Sequence, residues 1–381
     1  MIMYELAVLG DPTDRQVTEL EDFVSQAIKP LGLNLGDEVG WSIRQTDFAP
    51  SAQKTSAAVF YGGKSAVNLN VQALLRRGIP ILPVVSDLNR VSDEIPEALR
   101  PLNCISYDTS GPRRIATALL ECAGLLPKQR RIFVSYRRNE TSEAALQLFN
   151  ELSARHFEVF LDTHDIAPAE DFQTMLWHRL CDSDVLVMLD SPRYFDSRWT
   201  NAEFGRALAK TISILRIGWP NVIQSRRSLA TNQLELQADE LDAVGRFTAC
   251  AIHKVCLELE ALRSKGNSVR SFNMMSKLRL AMEQIGGSVV GVGLHKSVLV
   301  RLPNGDKEIV VYPTVGIPTA VTLHEATINS PDRSVAVIYD AVGIHPDWQR
   351  HLDWLGSEIK ATRWVKEHEV SWSFAGWETL I

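Results

Sequence analysis

The stretch DVLVMLDSPRYFDSRWTNAEFG, residues Asp184–Gly205, decides the fold class. It begins with an almost wholly apolar run, which is typical of a strand buried on both faces of a parallel sheet. Polar residues follow, and then Trp199 and Glu203 stand four apart, the spacing of neighbours on one face of a helix. Thr200 or Asn201 can cap that helix at its start. The stretch therefore predicts an α/β fold, with a carboxylate near the carboxyl end of a buried strand.

Strand-like and helical runs alternate on both sides of this stretch. RIFVSY, FEVFLD and ISILRI are strand-like, whereas SEAALQLFNELSAR, FQTMLWHRLCDS and TNAEFGRALAK have helical spacing. A long amphipathic pattern that starts at Leu241 and stops at Gly266 predicts one more helix. The central segment, residues 130–266, therefore predicts a parallel sheet covered by helices on both faces.

The flanking segments predict two further α/β domains. Residues 1–127 contain the strand-like runs YELAVLG, TSAAVFYGG and IPILPVV, with a helix capped by Thr13 or Asp14 and another stopped by Gly78. The polar linker PKQRR follows this segment. Residues 268–381 predict a smaller α/β domain, in which Asn304-Gly305 forms the turn of a hairpin.

Composition restricts the class of protein. A chain of 381 residues is too long to fold around one compact core, so two or three domains are expected. The formal net charge of −6 argues against non-specific adhesion to nucleic acid, and no direct nucleic-acid binding is expected. No apolar run approaches the roughly 18 residues of a membrane span, so no membrane partner is expected. Five cysteines without a CxxC spacing predict reduced thiols, a cytoplasmic location and no metal site.

The central segment resembles a TIR domain of the bacterial, enzymatic kind. The resemblance rests on the start FVSYRR, the loop THDIAPAED and the order Y, S, W, E in YFDSRWTNAE. It implies a flavodoxin-like sheet and an NAD+ hydrolase, which cleaves the nicotinamide–ribose bond to give nicotinamide and ADP-ribose or a cyclic ADP-ribose. NAD+ is then the substrate, and no cofactor is expected. The resemblance also implies antiviral (antiphage) immunity and activation by self-assembly.

The chemistry of that reaction explains the residue types. Loss of nicotinamide builds positive charge on the ribose, in an oxocarbenium-like transition state. A fixed carboxylate stabilises this charge, and the resemblance assigns that catalytic role to Glu203. The alternative is that Glu203 only complements the positive start of its helix while Trp199 packs in the core. The residues expected to bind the substrate are Tyr136, Arg137, Asp165, Ser197 and Trp199.

The first segment is related to the second in one ungapped alignment. Residues 68–82 and 201–215 share five identities in fifteen positions, and Asn70 then aligns with Glu203. A neutral amide cannot offset a ribosyl cation as a carboxylate can, so residues 1–127 predict an inactive TIR-like domain. One interpretation of this similarity is a common origin of the two segments. The other is that any two doubly wound domains contain similar apolar runs.

Two other classes of function remain open. A non-enzymatic TIR adaptor would join copies of the chain through TIR–TIR contacts and would not need Glu203. A nucleotide-responsive sensor would bind a small signal in the first or third domain. For the protein as a whole, the expected partners are other copies of the chain, joined in a homo-oligomer through TIR–TIR contacts, and an activating protein or nucleotide signal. The third domain also carries five tryptophans that fit a stacking pocket, an interface or an ordinary core, namely Trp348, Trp354, Trp364, Trp372 and Trp377.

Overall fold

The computed structural model describes residues 1–63, 71–161, 170–303, 307–360 and 362–377. The described strands form three five-stranded sheets with helices between the strands, which confirms the α/β class. The chain divides into two compact units. One comprises Met1–Leu126, Ser268–Ala341 and Asp347–Ile381, and the other comprises Pro127–Asn267 and Val342–Pro346. The division into three domains at 1–127, 130–266 and 268–381 stays a prediction.

The first sheet is parallel throughout and has the order β2-β1-β3-β4-β5. Its strands are β1 (Tyr4–Gly10), β2 (Val39–Ile43), β3 (Thr55–Tyr61), β4 (Ile81–Val85) and β5 (Ile105–Ser106). Its helices are α1 (Asp14–Ile28), α2 (Val71–Arg76), α3 (Val91–Glu94) and α4 (Tyr107–Cys122). Thr13 caps α1 in a capping box with Gln16, as its position in the sequence predicts.

The second sheet has the same strand order and is also parallel throughout, β10-β9-β8-β6-β7. This order is the flavodoxin-like one, so the fold expected for the central segment is confirmed. The strands are β6 (Arg131–Ser135), β7 (Glu158–Leu161), β8 (Val185–Asp190), β9 (Ser213–Gly218) and β10 (Asn232–Glu235). The helices are α5 (Arg138–Ala154), α6 (Glu170–Cys181), α7 (Arg198–Ala209) and α8 (Ala249–Gln284).

Helix α8 corrects one sequence-based expectation, because the helix neither starts at Leu241 nor ends at Gly266. It runs without interruption from Ala249 to Gln284, through Gly266. A Cβ atom at Gly266 would lie 2.4 Å from the Ser213 Oγ at the start of β9. The glycine is therefore explained by close approach of the helix to the sheet, and not by helix termination.

The third sheet is mixed and follows chain order, from β11 to β15. Its strands are β11 (Ser288–Val292), β12 (Val298–Arg301), β13 (Glu308–Thr314), β14 (Ser334–Tyr339) and β15 (Thr362–Lys366). Its helices are α9 (Ala320–Ile328), α10 (Pro346–Glu358) and α11 (Val370–Ala375). Strands β12 and β13 pair antiparallel, which confirms the hairpin, whereas Asn304-Gly305 lies outside the described residues.

The tryptophans of the third segment have no single role. Trp377 is buried and stacks on Phe374, with ring centroids 5.3 Å apart. Trp354 and Trp372 are exposed, so these rings do not belong to the core. Among the described helices, none has both the length and the apolar character of a membrane span.

Candidate functional site

A pocket of about 260 Å³ lies where β6 ends and where α5 and α7 begin. The carboxyl ends of parallel strands meet at this edge of the sheet, where open α/β folds bind ligands. The pocket is built from polar, cationic and aromatic side chains. They are Tyr136, Arg137, Arg138, Asn139, Ser197, Trp199 and Thr200.

Four residues expected to bind a substrate line this one pocket: Tyr136, Arg137, Ser197 and Trp199. The chain brings them together from two segments about sixty residues apart, the end of β6 and the start of α7. Asp165, the fifth, lies outside the described residues. Whether these side chains bind a substrate stays a prediction, but their convergence supplies the geometry for it.

The start of α7 differs from the sequence-based expectation. Neither Thr200 nor Asn201 is its N-cap, because Ser197 takes that position. The Ser197 Oγ accepts hydrogen bonds from the backbone N–H groups of Trp199, at 3.2 Å, and Thr200, at 3.5 Å. The helix therefore begins at Arg198, and Glu203 lies in its second turn. The charge at a helix end acts mainly within the first turn, so complementing that charge does not explain Glu203.

Glu203 lies behind the pocket and not in its lining. Its side chain is 1% exposed, and its Oε2 accepts a hydrogen bond from the hydroxyl of Ser135, the last residue of β6. Trp199 and Thr200, on the preceding turn of α7, form the pocket wall. One helical turn rises about 5.4 Å, so Glu203 stands about one turn further along α7 than that wall. The side chain expected to act on the substrate is therefore buried in this structure.

Two buried hydroxyl groups beside Glu203 escaped sequence reasoning. The Ser135 Oγ is 2.6 Å from the Tyr194 Oη, and both residues are 1% exposed or less. Burial and then the negative charge of Glu203 raise the pKa of the Tyr194 phenol well above its ordinary value of 10. The phenol therefore stays protonated at neutral pH. The one available sequence signal was that Ser135 places a hydroxyl at the end of an otherwise apolar strand.

The pocket favours an anion. Arg137 and Arg138 both line it, and the Arg137 Nη1 donates to the Arg193 carbonyl at 2.5 Å, which orients the guanidinium. The N-terminal ends of α5 and α7 add partial positive charge. The guanidinium of Arg198 lies 4.4 Å from the centroid of the Trp199 ring. Arginine pairs with phosphate in a two-pronged geometry, so the pocket suits a phosphate-bearing ligand.

Metal and thiol chemistry have no evident centre in the parts of the chain that the structure describes. No three or more His, Cys, Asp or Glu side chains among those residues come together as a ligand set. All five cysteines are free thiols. Burial raises the pKa of the thiols of Cys104, Cys122 and Cys256 to about 11, so these three are protonated at neutral pH.

Comparison with known proteins bears on the central segment alone. A family model described as "TIR domain" matches residues 132–246, which supports a TIR domain in that segment and does not bear on the enzymatic kind. TIR domains commonly self-associate, and the family includes both NAD+-cleaving enzymes and adaptors. No relative was found among curated proteins. One solved structure, proximal thread matrix protein 1 from the mussel byssus, matches at 9% identity over 68% of this chain and 96% of its own. Its TM-score is 0.20, so it carries no argument about fold or function.

Proposed function

We propose that the TIR domain of this chain is an NAD+ glycohydrolase, with Glu203 as its catalytic residue. The reaction cleaves the bond between nicotinamide and ribose and yields nicotinamide with ADP-ribose or a cyclic ADP-ribose. The observation that most supports the proposal is that Glu203 follows Trp199 and Thr200, which line a cationic and aromatic pocket, by about one turn of the same helix.

The pocket matches one end of the dinucleotide. At about 260 Å³ it falls just below the range of roughly 300–1,000 Å³ that is usual for small-molecule sites. It therefore takes the nicotinamide riboside end, while the adenosine end lies outside. Arg137 pairs with the diphosphate, and the rings of Tyr136 and Trp199 offer flat surfaces to nicotinamide. Ser197 holds the start of α7, and with it Trp199, in place.

The role of Glu203 follows from where charge develops. When the C1′–N bond breaks, its electron pair leaves with nicotinamide, which departs as a neutral molecule and needs no general acid. The ribose is left as an oxocarbenium-like cation, which a nearby carboxylate stabilises. Water then attacks C1′ and loses a proton, giving ADP-ribose. Attack by the adenine of the same molecule gives the cyclic product instead. A site closed to water strengthens the attraction between carboxylate and cation.

The burial of Glu203 implies a gate. Because Glu203 is only 1% exposed, the pocket must open further before the ribose reaches the carboxylate. We propose that association with other copies of the chain, through TIR–TIR contacts, favours the opened state. Such a gate suits an activity that would exhaust the NAD+ of its own cell, and the trigger would be an activating protein or a nucleotide signal. The setting expected from the family resemblance is antiviral defence in the cytoplasm.

The test is consumption of NAD+ by the purified full chain over a wide range of protein concentrations. We expect Glu203→Gln to abolish turnover, because an amide keeps the shape of the side chain but loses its charge. The matched control is Glu258→Gln, the same change at an exposed position of α8, which should leave turnover unaltered. If Glu203→Gln consumes NAD+ as fast as the parent, the assignment is wrong.

One observation favours a second candidate, a non-enzymatic TIR adaptor. Because Glu203 is buried and accepts a hydrogen bond from Ser135, it can serve as a purely structural residue. The adaptor would self-associate without turnover at any concentration. Sedimentation measurements on the samples used for NAD+ assays separate the two candidates, since an adaptor forms oligomers while NAD+ stays intact.

A further inference from the structure

The surroundings of Glu203 contain an ordered chain of hydrogen bonds. The Ser135 Oγ donates to the Glu203 Oε2 and also lies 2.6 Å from the Tyr194 Oη. A serine hydroxyl has one proton to give and two lone pairs with which to accept. Since Ser135 gives its proton to the carboxylate, the bond to Tyr194 must have the phenol as donor. The direction is therefore from Tyr194 to Ser135 to Glu203.

All three side chains in this series of hydrogen bonds are shielded from water. Ser135 is 0% exposed, and Tyr194 and Glu203 are each 1% exposed. A buried carboxylate is costly unless donors satisfy it, so the hydroxyl that reaches it helps to fix its direction. Charge-assisted bonds of this kind are among the strongest that side chains make.

Tyr194 is itself held from two sides. Its ring meets that of Phe195 edge to face, with centroids 5.0 Å apart, and its carbonyl accepts a hydrogen bond from the hydroxyl of Thr200. Thr200 belongs to the pocket wall. The phenol is therefore fixed in position by residues adjacent to the pocket, and it can fix Ser135 in turn.

We propose that Ser135 is a positioning residue for Glu203, and that Tyr194 acts on Glu203 through Ser135. This inference rests on the proposed NAD+ glycohydrolase function. Neither residue touches the substrate. Ser135 holds the carboxylate at the end of β6, where the ribosyl cation forms, and Tyr194 orients the Ser135 hydroxyl so that its proton points toward Glu203.

The experiment is a double-mutant cycle in the full chain, with Ser135→Ala and Tyr194→Phe measured singly and together. We expect Ser135→Ala to lower kcat for NAD+ cleavage about 10- to 100-fold with KM unchanged, since a hydrogen bond to a charged group is lost. Tyr194→Phe should lower kcat about 3- to 10-fold in the parent. In the Ser135→Ala background its effect should be much smaller, because the hydrogen-bonded route from Tyr194 to Glu203 is then broken.

The control is Ser183→Ala. Ser183 is also buried, and its Oγ donates to the Arg179 carbonyl at 2.8 Å, but it precedes β8 at the opposite edge of the same sheet. Loss of a buried serine hydroxyl there should leave kcat unaltered. If Ser135 has only a structural role, Ser135→Ala should lower the melting temperature, as Ser183→Ala does, and leave kcat per folded molecule unchanged.

The outcomes separate the two proposals. If the parent is inactive at every concentration, or if Glu203→Gln remains active, the proposed function fails and this inference fails with it. If Glu203→Gln is inactive but Ser135→Ala keeps the kcat of the parent, the inference alone is wrong. Additive losses in the double variant would show that Tyr194 acts independently of Ser135. A rise in activity on Ser135→Ala would show that the hydroxyl restrains Glu203 and does not position it.

Discussion

At the scale of the single residue, arginines line the pocket while the Glu203 carboxylate is buried outside its lining. Arg137 reaches the pocket from the residue before α5, and its Nη1 is oriented by the Arg193 carbonyl. Glu203 approaches from α7 on the far side of the pocket wall. The Glu203 carboxylate accepts a hydrogen bond from the hydroxyl of Ser135.

The role in substrate binding proposed for Arg137 can be tested through the KM for NAD+. We expect Arg137→Ala to raise KM for NAD+ about 10- to 100-fold, because a charge-assisted bond to the diphosphate is lost, with a smaller change in kcat. Arg137→Lys keeps the charge but loses the two-pronged geometry, so its KM should lie between those of the other two proteins. Steady-state kinetics at two salt concentrations provide the measurement. An unchanged KM for Arg137→Ala would show that the diphosphate binds elsewhere.

The sequence indicated four residues of the pocket, but it did not indicate the hydroxyl groups that surround Glu203. Tyr136, Arg137, Ser197 and Trp199 follow from their positions at strand and helix ends, which the topology brings together. The Ser135 hydroxyl could not be recognised as a partner of Glu203 from the sequence, because 68 residues separate them. Only the folded arrangement of β6 and α7 brings the two side chains together.

At the scale of the element, close packing decided boundaries that local sequence signals placed elsewhere. Gly266 reads as a helix stop, yet α8 continues through it because the missing side chain lets the helix approach Ser213. Strand β10 (Asn232–Glu235) carries one buried apolar residue, Leu234, so its sequence has no strand pattern. Pairing with β9 supplies what the local pattern lacks.

If close packing explains Gly266, the usual stabilising effect of a glycine-to-alanine change in a helix should be absent or reversed at this position. Alanine favours helix over glycine by about 1 kcal/mol, so Gly266→Ala should stabilise a helix that had room for it. In the parent a Cβ would lie 2.4 Å from the Ser213 Oγ, so we expect the substitution to be neutral or destabilising. In a Ser213→Ala background that oxygen is gone, and the same change should be more favourable by about 1 kcal/mol.

Thermal or urea unfolding of the four proteins measures this coupling. The Ser213→Ala variant alone serves as the control for loss of the hydroxyl. Equal stabilisation by Gly266→Ala in both backgrounds would mean that close approach to Ser213 does not explain the glycine.

At the scale of the whole molecule, the first two sheets share one strand order but differ at the carboxyl ends of their strands. Both have the order that places a crevice at the carboxyl edge, next to the first strand in sequence. In the first sheet that edge is closely packed, since a Cβ at Gly63 would lie 2.6 Å from the Asp11 Cβ. Asn70, which aligns with Glu203, lies outside the described residues. Common origin and the inactivity of the first domain stay predictions.

Activation by self-association predicts a steep dependence on concentration. If the proposed gate over Glu203 opens only when copies of the chain meet, specific activity should fall sharply on dilution. Adding an excess of Glu203→Gln protein to a dilute parent sample should restore activity, since the inactive copies still assemble. A specific activity that stays flat across dilution would contradict the gate, and so would a failure of the inactive copies to rescue.

The central claim is that one buried carboxylate on α7 drives cleavage of NAD+. The most direct test is a chromatogram of the products formed from NAD+ by the concentrated parent and by Glu203→Gln. The account predicts nicotinamide together with ADP-ribose or its cyclic form from the parent, and intact NAD+ from the variant. Equal amounts of nicotinamide from both proteins would contradict it.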